Sequence, residues 1–212
     1  MSRKGGLREF GFVNLGLCAI WVGTVSAGSA ILLTYDSRPG EIPRQLVGWP
    51  SGSSLVRHAK LPTLVMFVHP HCPCTRASIS ELERLHSDCH GLAEFQVVAY
   101  QPASTGEDWR DSPIMRTLIR TDDVGVKWDR DGLETQRFGV ATSGHVLLFD
   151  RFGRLQFTGG ITNSRGHEGS NAGREFMTRF LRFGSREQSV QTSAFRTSVY
   201  GCQINRAGVA KQ

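Results

Sequence analysis

The sequence predicts an α/β domain, a central mixed sheet flanked by helices, preceded by a single membrane-spanning helix. Three observations predict it. From Phe10 to Tyr35 no charged residue interrupts the chain, and these 26 residues are long enough to cross a hydrocarbon core of about 30 Å. The apolar run Leu64–Val68 stops at His69-Pro70-His71, and an amphipathic segment begins just beyond Cys72-Pro73-Cys74, which reads as buried strand, tight turn and helix. Downstream, short apolar runs and amphipathic stretches follow in the order β-α-β-α-β-β-α.

The elements follow from local chemistry. Residues 1–9 carry Arg3, Lys4 and Arg8, and this basic flank places the N-terminus in the cytoplasm and the rest of the chain on the far side of the membrane. Residues 10–35 form the anchor. Small residues at 26–30 also suit a cleaved signal peptide, but Ile31-Leu32-Leu33 carries the apolar run past them and favours an uncleaved helix. Cys18 lies within this span and lacks the small residue that precedes a lipidated cysteine. Residues 36–60, broken by Pro39, Pro43, Pro50 and Ser51-Gly52-Ser53-Ser54, read as a linker.

The domain is expected over 61–184. Strands are expected at 64–69, 95–100 and 145–150, with 154–157 as hairpin partner and 124–128 as a candidate edge strand. Helices are expected at 74–86, 114–119 and 175–183, with a turn or two at 131–138. Glu81 and Arg84 read as the outer face of the first of these. Residues 185–212 are polar and basic and read as a poorly packed tail.

Composition narrows the function. The net charge is +6, but no basic stripe interleaved with aromatics supports nucleic-acid binding, and the charge reads as a solvated surface. Five cysteines are too few, and odd in number, for a disulfide scaffold. Cys72 and Cys74 instead sit where a helix begins. Unpaired N–H groups and the positive end of the helix dipole lower a thiol pKa there and favour the reactive thiolate. Redox chemistry at Cys72 and Cys74 is the leading expectation. Cys72, earlier in the turn and expected to be more exposed, attacks; Cys74 resolves; Thr75 donates a hydrogen bond; and Arg76 stabilises the thiolate, though either of the latter two can simply cap or solvate the helix. With one residue between the cysteines the ring is small, so a Cys72–Cys74 bridge is strained and oxidising. Cys202 is either a third thiol that folds back on Cys72 or a free or partner-linked tail thiol, and Cys89 reads as structural.

The strand–turn–helix HPHCPCTRAS, the element order and Phe138-Gly139-Val140 through Asp150 resemble the thioredoxin-like superfamily. Closer still, Cys72-Pro73-Cys74-Thr75, Thr142-Ser143-Gly144-His145, Gly159-Gly160-Ile161-Thr162, Arg165-Gly166-His167, Gly169, Asn171, Gly173 and Gly201-Cys202 resemble the membrane-anchored RedB-type thioredoxin-like proteins. The resemblance implies a thioredoxin-like sandwich on a bacterial inner-membrane anchor, facing the periplasm and acting on protein thiols or disulfides without a cofactor. Gly144 stands where thioredoxins carry the proline that crowds the dithiol. The dithiol is also one residue short of Cys-x-x-Cys, so the direction of electron flow stays open. The alternative is a copper-binding or copper-delivery protein. Copper carriers of this fold use two cysteines and a distant histidine, which here gives His71, Cys72, Cys74 and His167, with His69, His145 and Cys202 as further possible ligands.

Other motifs fall short. Thr75 follows the cysteine where a peroxidase places it before, the acidic residues at 129–134 lack calcium-loop spacing, and Ser143 lacks a nucleophile elbow.

Overall fold

The computed structural model describes residues 6–40, 46–184 and 193–204. Residues 1–5, 41–45, 185–192 and 205–212 lie outside the described set, and with them parts of the expected cytoplasmic segment, linker and tail. Two compact units divide at Arg38, and each is described by itself.

The first unit is helix α1, Gly6–Ser37. Its segment Asn14–Ser37, 24 residues of mean hydropathy 1.8, is long and apolar enough to cross a membrane. Leu15, Trp21, Ile31 and Leu33 are all exposed. A segment this apolar, exposed on all its faces, is suited to an apolar solvent rather than to water.

The second unit holds β1 (Thr63–Val68), α2 (Thr75–Asp88), β2 (Glu94–Gln101), α3 (Pro113–Arg120), β3 (Val124–Arg130), α4 (Leu133–Arg137), β4 (His145–Phe149), β5 (Leu155–Gly159), α5 (Ala172–Phe183) and β6 (Phe195–Arg196). A short 3-10 turn spans Glu107–Arg110, inside the expected loop. The sheet runs β3-β2-β1-β4-β5-β6. β1 pairs in parallel with β2 and antiparallel with β4, and β4–β5 is the expected hairpin. This is the thioredoxin-like sandwich, with β3 added in parallel at one edge.

Both faces of the sheet are covered, which is why β1 reads as a continuous apolar run rather than an alternation. Leu64, Met66 and Val68 pack under α2, α3 and α5, against Ile79, Leu82, Leu85, Met115 and Met177. Val65 and Phe67 point the other way, to Phe138, Leu147 and Phe149. Local signals set the helix starts: the Ser112 side chain accepts from the Met115 N–H ahead of α3, and Asn171 accepts from the Arg174 N–H ahead of α5. Asp129 does the same for α4, taking the Glu134 and Thr135 N–H groups at 2.8 and 2.9 Å, so its carboxylate is already occupied.

Three expectations need correcting. The linker is packed in its second half: Trp49 meets Phe138 and Phe149 edge-on at 5.2 and 5.0 Å, and Leu55 is buried. The tail is built in where described. β6 adds in parallel to β5, Phe195 stacks on Phe176 at 4.7 Å, and Val199 and Ile204 are buried. Its polar, basic composition hides these few apolar anchors because they follow no helical or strand period. Glu81 is buried, not on the outer face. Arg84 reaches it at 2.6 Å, Arg174 at 2.8 Å and the Gly169 N–H at 2.7 Å, so the carboxylate clamps the glycine-rich loop onto α2.

Candidate functional site: a three-thiol cluster

The site forms where β1 ends and α2 begins. After Val68 the chain turns through His69–Cys74, with the Cys72 N–H bonded to the His69 carbonyl at 3.0 Å. No side chain caps α2; Cys74 itself is the cap residue, and the thiols stand at the helix entrance as expected. Ser143, in the loop before β4, ties this turn down. Its hydroxyl accepts from the His69 N–H at 2.8 Å and shares a hydrogen bond with the Thr75 hydroxyl at 2.6 Å.

The same loop receives the tail. The Ser143 N–H donates to the Cys202 carbonyl and the Ile204 N–H to the Ala141 carbonyl, both at 2.8 Å, on either side of an antiparallel bridge between Thr142 and Gln203. Gly201 fits against Ser143 only because it has no side chain: a Cβ there would lie 1.9 Å from the Ser143 carbonyl oxygen. This pairing delivers Cys202 to the dithiol. Its N–H donates to Cys72 Sγ at 3.3 Å, and the sulfur atoms of Cys72, Cys74 and Cys202 lie within 4.8 Å of one another.

The three thiols are not equivalent. Burial pushes the Cys72 thiol up, but hydrogen bonds from the Cys202 thiol, from Thr75 and from the Cys202 N–H outweigh it and hold Cys72 below the ordinary thiol range. Burial and the neighbouring Cys72 charge push Cys74 up, partly offset by Arg165. Cys202 is pushed up to about 12 by burial and by its bond to Cys72. The cluster therefore ionises first at Cys72, with Cys202 protonated and donating to it.

Cys72 is only 1% exposed and Cys74 is half-buried, the reverse of the expected order of access, because the tail lies over Cys72. Thr75 is fully buried beside the sulfur. Arg76 is exposed and lines a shallow depression with Pro70, His71 and Pro113, while the cation facing the thiols is Arg165. The Arg165 Nη1 also holds the Gly201 carbonyl at 2.5 Å. Gly144 faces α2 rather than the thiols: with φ of +86° and 2.7 Å from a built Cβ to the Ser78 hydroxyl, it serves the turn into β4.

The histidines of the metal alternative stay apart from the sulfurs. His71 Nε2 meets the Trp109 carbonyl at 3.0 Å, and His167 is an exposed loop residue. His145 is buried with Nε2 on the Thr158 hydroxyl at 2.8 Å, and burial, with Arg196 nearby, lowers its pKa to about 4. Among the described residues, the group of three or more possible ligands is sulfur alone: Cys72, Cys74 and Cys202. Cys89 is buried in the core, as a structural cysteine should be. Ser143 and Arg165 have no site role in the sequence reading. Their only signal there is membership of the TSGH and RGH motifs.

No family model matches the chain, and no curated protein matches it. Solved structures do. An uncharacterized conserved protein from Geobacillus kaustophilus superposes with a TM-score of 0.57 at 18% identity, covering 82% of this chain and 95% of that one. A hypothetical protein from Sinorhizobium meliloti also gives 0.57, at 16% identity, over 82% and 100%. A weaker match is the exposed lipoprotein thioredoxin of Streptococcus pneumoniae, TM-score 0.42, 15% identity, covering 59% and 86%.

Proposed function

We propose that this chain, thioredoxin-like in fold, is a membrane-anchored thiol–disulfide oxidoreductase that uses the Cys72-Pro73-Cys74 dithiol. The anchor is Asn14–Ser37, and Arg3, Lys4 and Arg8 orient the domain away from the cytoplasm, into the periplasm of a bacterium. The observation that carries the reading is the sulfur of Cys72, beside two further thiols within 4.8 Å and held toward its thiolate by hydrogen bonds from Cys202 and Thr75. A thiolate attacks one sulfur of a client disulfide, the client's S–S bond breaks, and a second thiol of the cluster displaces the client from Cys72. Cys74 and Cys202 are the two thiols within reach for that second step. Clients are protein thiols or disulfides reaching the domain from outside.

The experiment is mass-spectrometric mapping of the full chain after glutathione disulfide and after dithiothreitol, with Cys72→Ser alongside. Reversible oxidation centred on Cys72 and lost in Cys72→Ser supports the reading. Unchanged exchange in Cys72→Ser removes it.

One observation favours a second reading, copper binding. Three sulfur donors within 4.8 Å suit a soft monovalent cation, and Cys72, Cys74 and Cys202 would hold it without either histidine. Stoichiometric Cu(I) retained through dialysis and lost on replacing any one of the three would place this reading first.

A further inference from the structure

We propose that Cys202, not Cys74, is the cysteine that resolves a disulfide formed on Cys72, and that the Gly201–Ile204 segment is the strand that carries it there. The proposal rests on the oxidoreductase reading above and assigns the partner thiol within it. Four observations carry it. The Cys202 N–H already donates to Cys72 Sγ at 3.3 Å, so the two residues face each other across 130 positions of sequence. Backbone bonds on both sides of Gln203, from the Ser143 N–H to the Cys202 carbonyl and from the Ile204 N–H to the Ala141 carbonyl, fix the approach of Cys202. Gly201 lies against the Ser143 carbonyl with no room for a Cβ, so this seat is shaped to the Gly-Cys sequence. The tail that bears Cys202 also covers Cys72, so a client that reaches Cys72 displaces the strand locally and its return brings the resolving thiol.

Cys74 is less well placed. Pro73 separates it from Cys72, and Cys74 already holds helical backbone angles, φ −65° and ψ −24°, at the start of α2. Its sulfur lies within the same 4.8 Å of Cys72, but a bridge across the single Pro73 closes a small ring at a residue already committed to the helix, so forming it disturbs the entry to α2. Pairing with Cys202 leaves the helix as it is.

The exchange balances as follows. Cys72 thiolate attacks a client disulfide; one client sulfur leaves as thiolate and the other stays bonded to Cys72. Cys202 gives up its proton and attacks Cys72 Sγ. The Cys72–client bond breaks, a Cys72–Cys202 bond forms, and the second client sulfur leaves and takes a proton. The client disulfide is reduced by two electrons and the Cys72–Cys202 dithiol is oxidised. An external dithiol restores it by the reverse steps.

The test uses the full chain in detergent with glutathione disulfide as probe and peptide mapping as readout, comparing wild type with Cys202→Ser, Cys202→Ala and Cys74→Ser. The expected result is a Cys72–Cys202 linkage in wild type and in Cys74→Ser, and a Cys72–glutathione adduct that persists at least about tenfold longer in both Cys202 variants. Using two replacements at Cys202 separates loss of the sulfur from a fault peculiar to one of them. An adduct that persists in Cys74→Ser and clears normally without Cys202 overturns the assignment while leaving the oxidoreductase reading intact. Failure of Cys72 to take the adduct in any variant overturns both.

Discussion

Gly201→Ala tests how the site is assembled. The new Cβ would lie 1.9 Å from the Ser143 carbonyl oxygen and 2.9 Å from its carbon, so one backbone must retreat by more than about 1 Å to reach ordinary contact. A retreat of that size breaks the two 2.8 Å backbone bonds that flank Gln203 and the 3.3 Å bond from the Cys202 N–H to Cys72 Sγ. Three bonds at a net of about 1 kcal/mol each amount to about 3 kcal/mol. Backbone freedom regained by the freed residues, about 1 kcal/mol apiece, offsets much of this. The domain therefore stays folded while residues 201–204 open locally. Hydrogen exchange at the Cys202 and Ile204 amides should accelerate by about 30-fold or more, the equivalent of about 2 kcal/mol. Because the tail is what covers Cys72, its alkylation by a small reagent should accelerate and its pH profile should change as the Cys202 donors and the burial leave together. Unchanged protection of both amides, with an unchanged Cys72 profile, would refute the claim that the strand is seated on Ser143.

The remaining predictions concern single groups. Thr75→Val removes a hydrogen-bond donor from the Cys72 sulfur and should move Cys72 alkylation to higher pH without opening the tail, which exchange of the Cys202 amide will show. Glu81→Ala strands the Gly169 N–H and a partly buried Arg174, and should cost about 3 kcal/mol in denaturant unfolding; a loss under about 1 kcal/mol would mean the clamp is slack. His145, held near 4 when folded against an ordinary 6.5, resists a proton that the unfolded chain accepts. Stability should therefore fall as pH drops from 6.5 toward about 4, by up to about 3 kcal/mol, and His145→Gln should flatten that slope in chemical melts at several pH values.

Most of the fold was legible because its signals are local. The run Thr63–Val68 is apolar on both faces, α2 follows a turn that only a strand–helix junction explains, and the β4–β5 hairpin is announced by Asp150 and Gly153. What was not legible is non-local. Phe195 finds Phe176, and Ile204 finds the face of the sheet shared by Phe67 and Phe149, through contacts that no period in residues 193–204 foretells. Glu81 read as solvent-facing because helical spacing cannot know that a glycine-rich loop closes over it. Arg76 was favoured as the cation for the thiols on nearness in sequence, yet the helix carries it outward, and Arg165 arrives from another loop. The exposure of Cys72 was misjudged for the same reason: what covers it lies 130 residues away.

Ser143 explains why these distant pieces act as one site. Its hydroxyl binds the His69 N–H and the Thr75 hydroxyl, and its own N–H binds the Cys202 carbonyl. The turn before the dithiol, the first residue of α2 and the tail thus share one small, fully buried side chain and its backbone. Thr75 and Cys202 are also the residues that donate to Cys72. Any movement of the tail consequently alters the thiolate twice, by removing the Cys202 donors and by freeing the Ser143 backbone that positions its neighbour. In the exchange proposed above, a dithiol whose members are separated by one proline would gain from this arrangement, because the resolving thiol need not come from within the turn. Ser143→Ala keeps the backbone bond to Cys202 and removes the hydroxyl alone. It should therefore loosen Thr75 while leaving the tail seated, whereas Gly201→Ala does the opposite, and the two variants separate the contributions of helix and tail to the reactivity of Cys72.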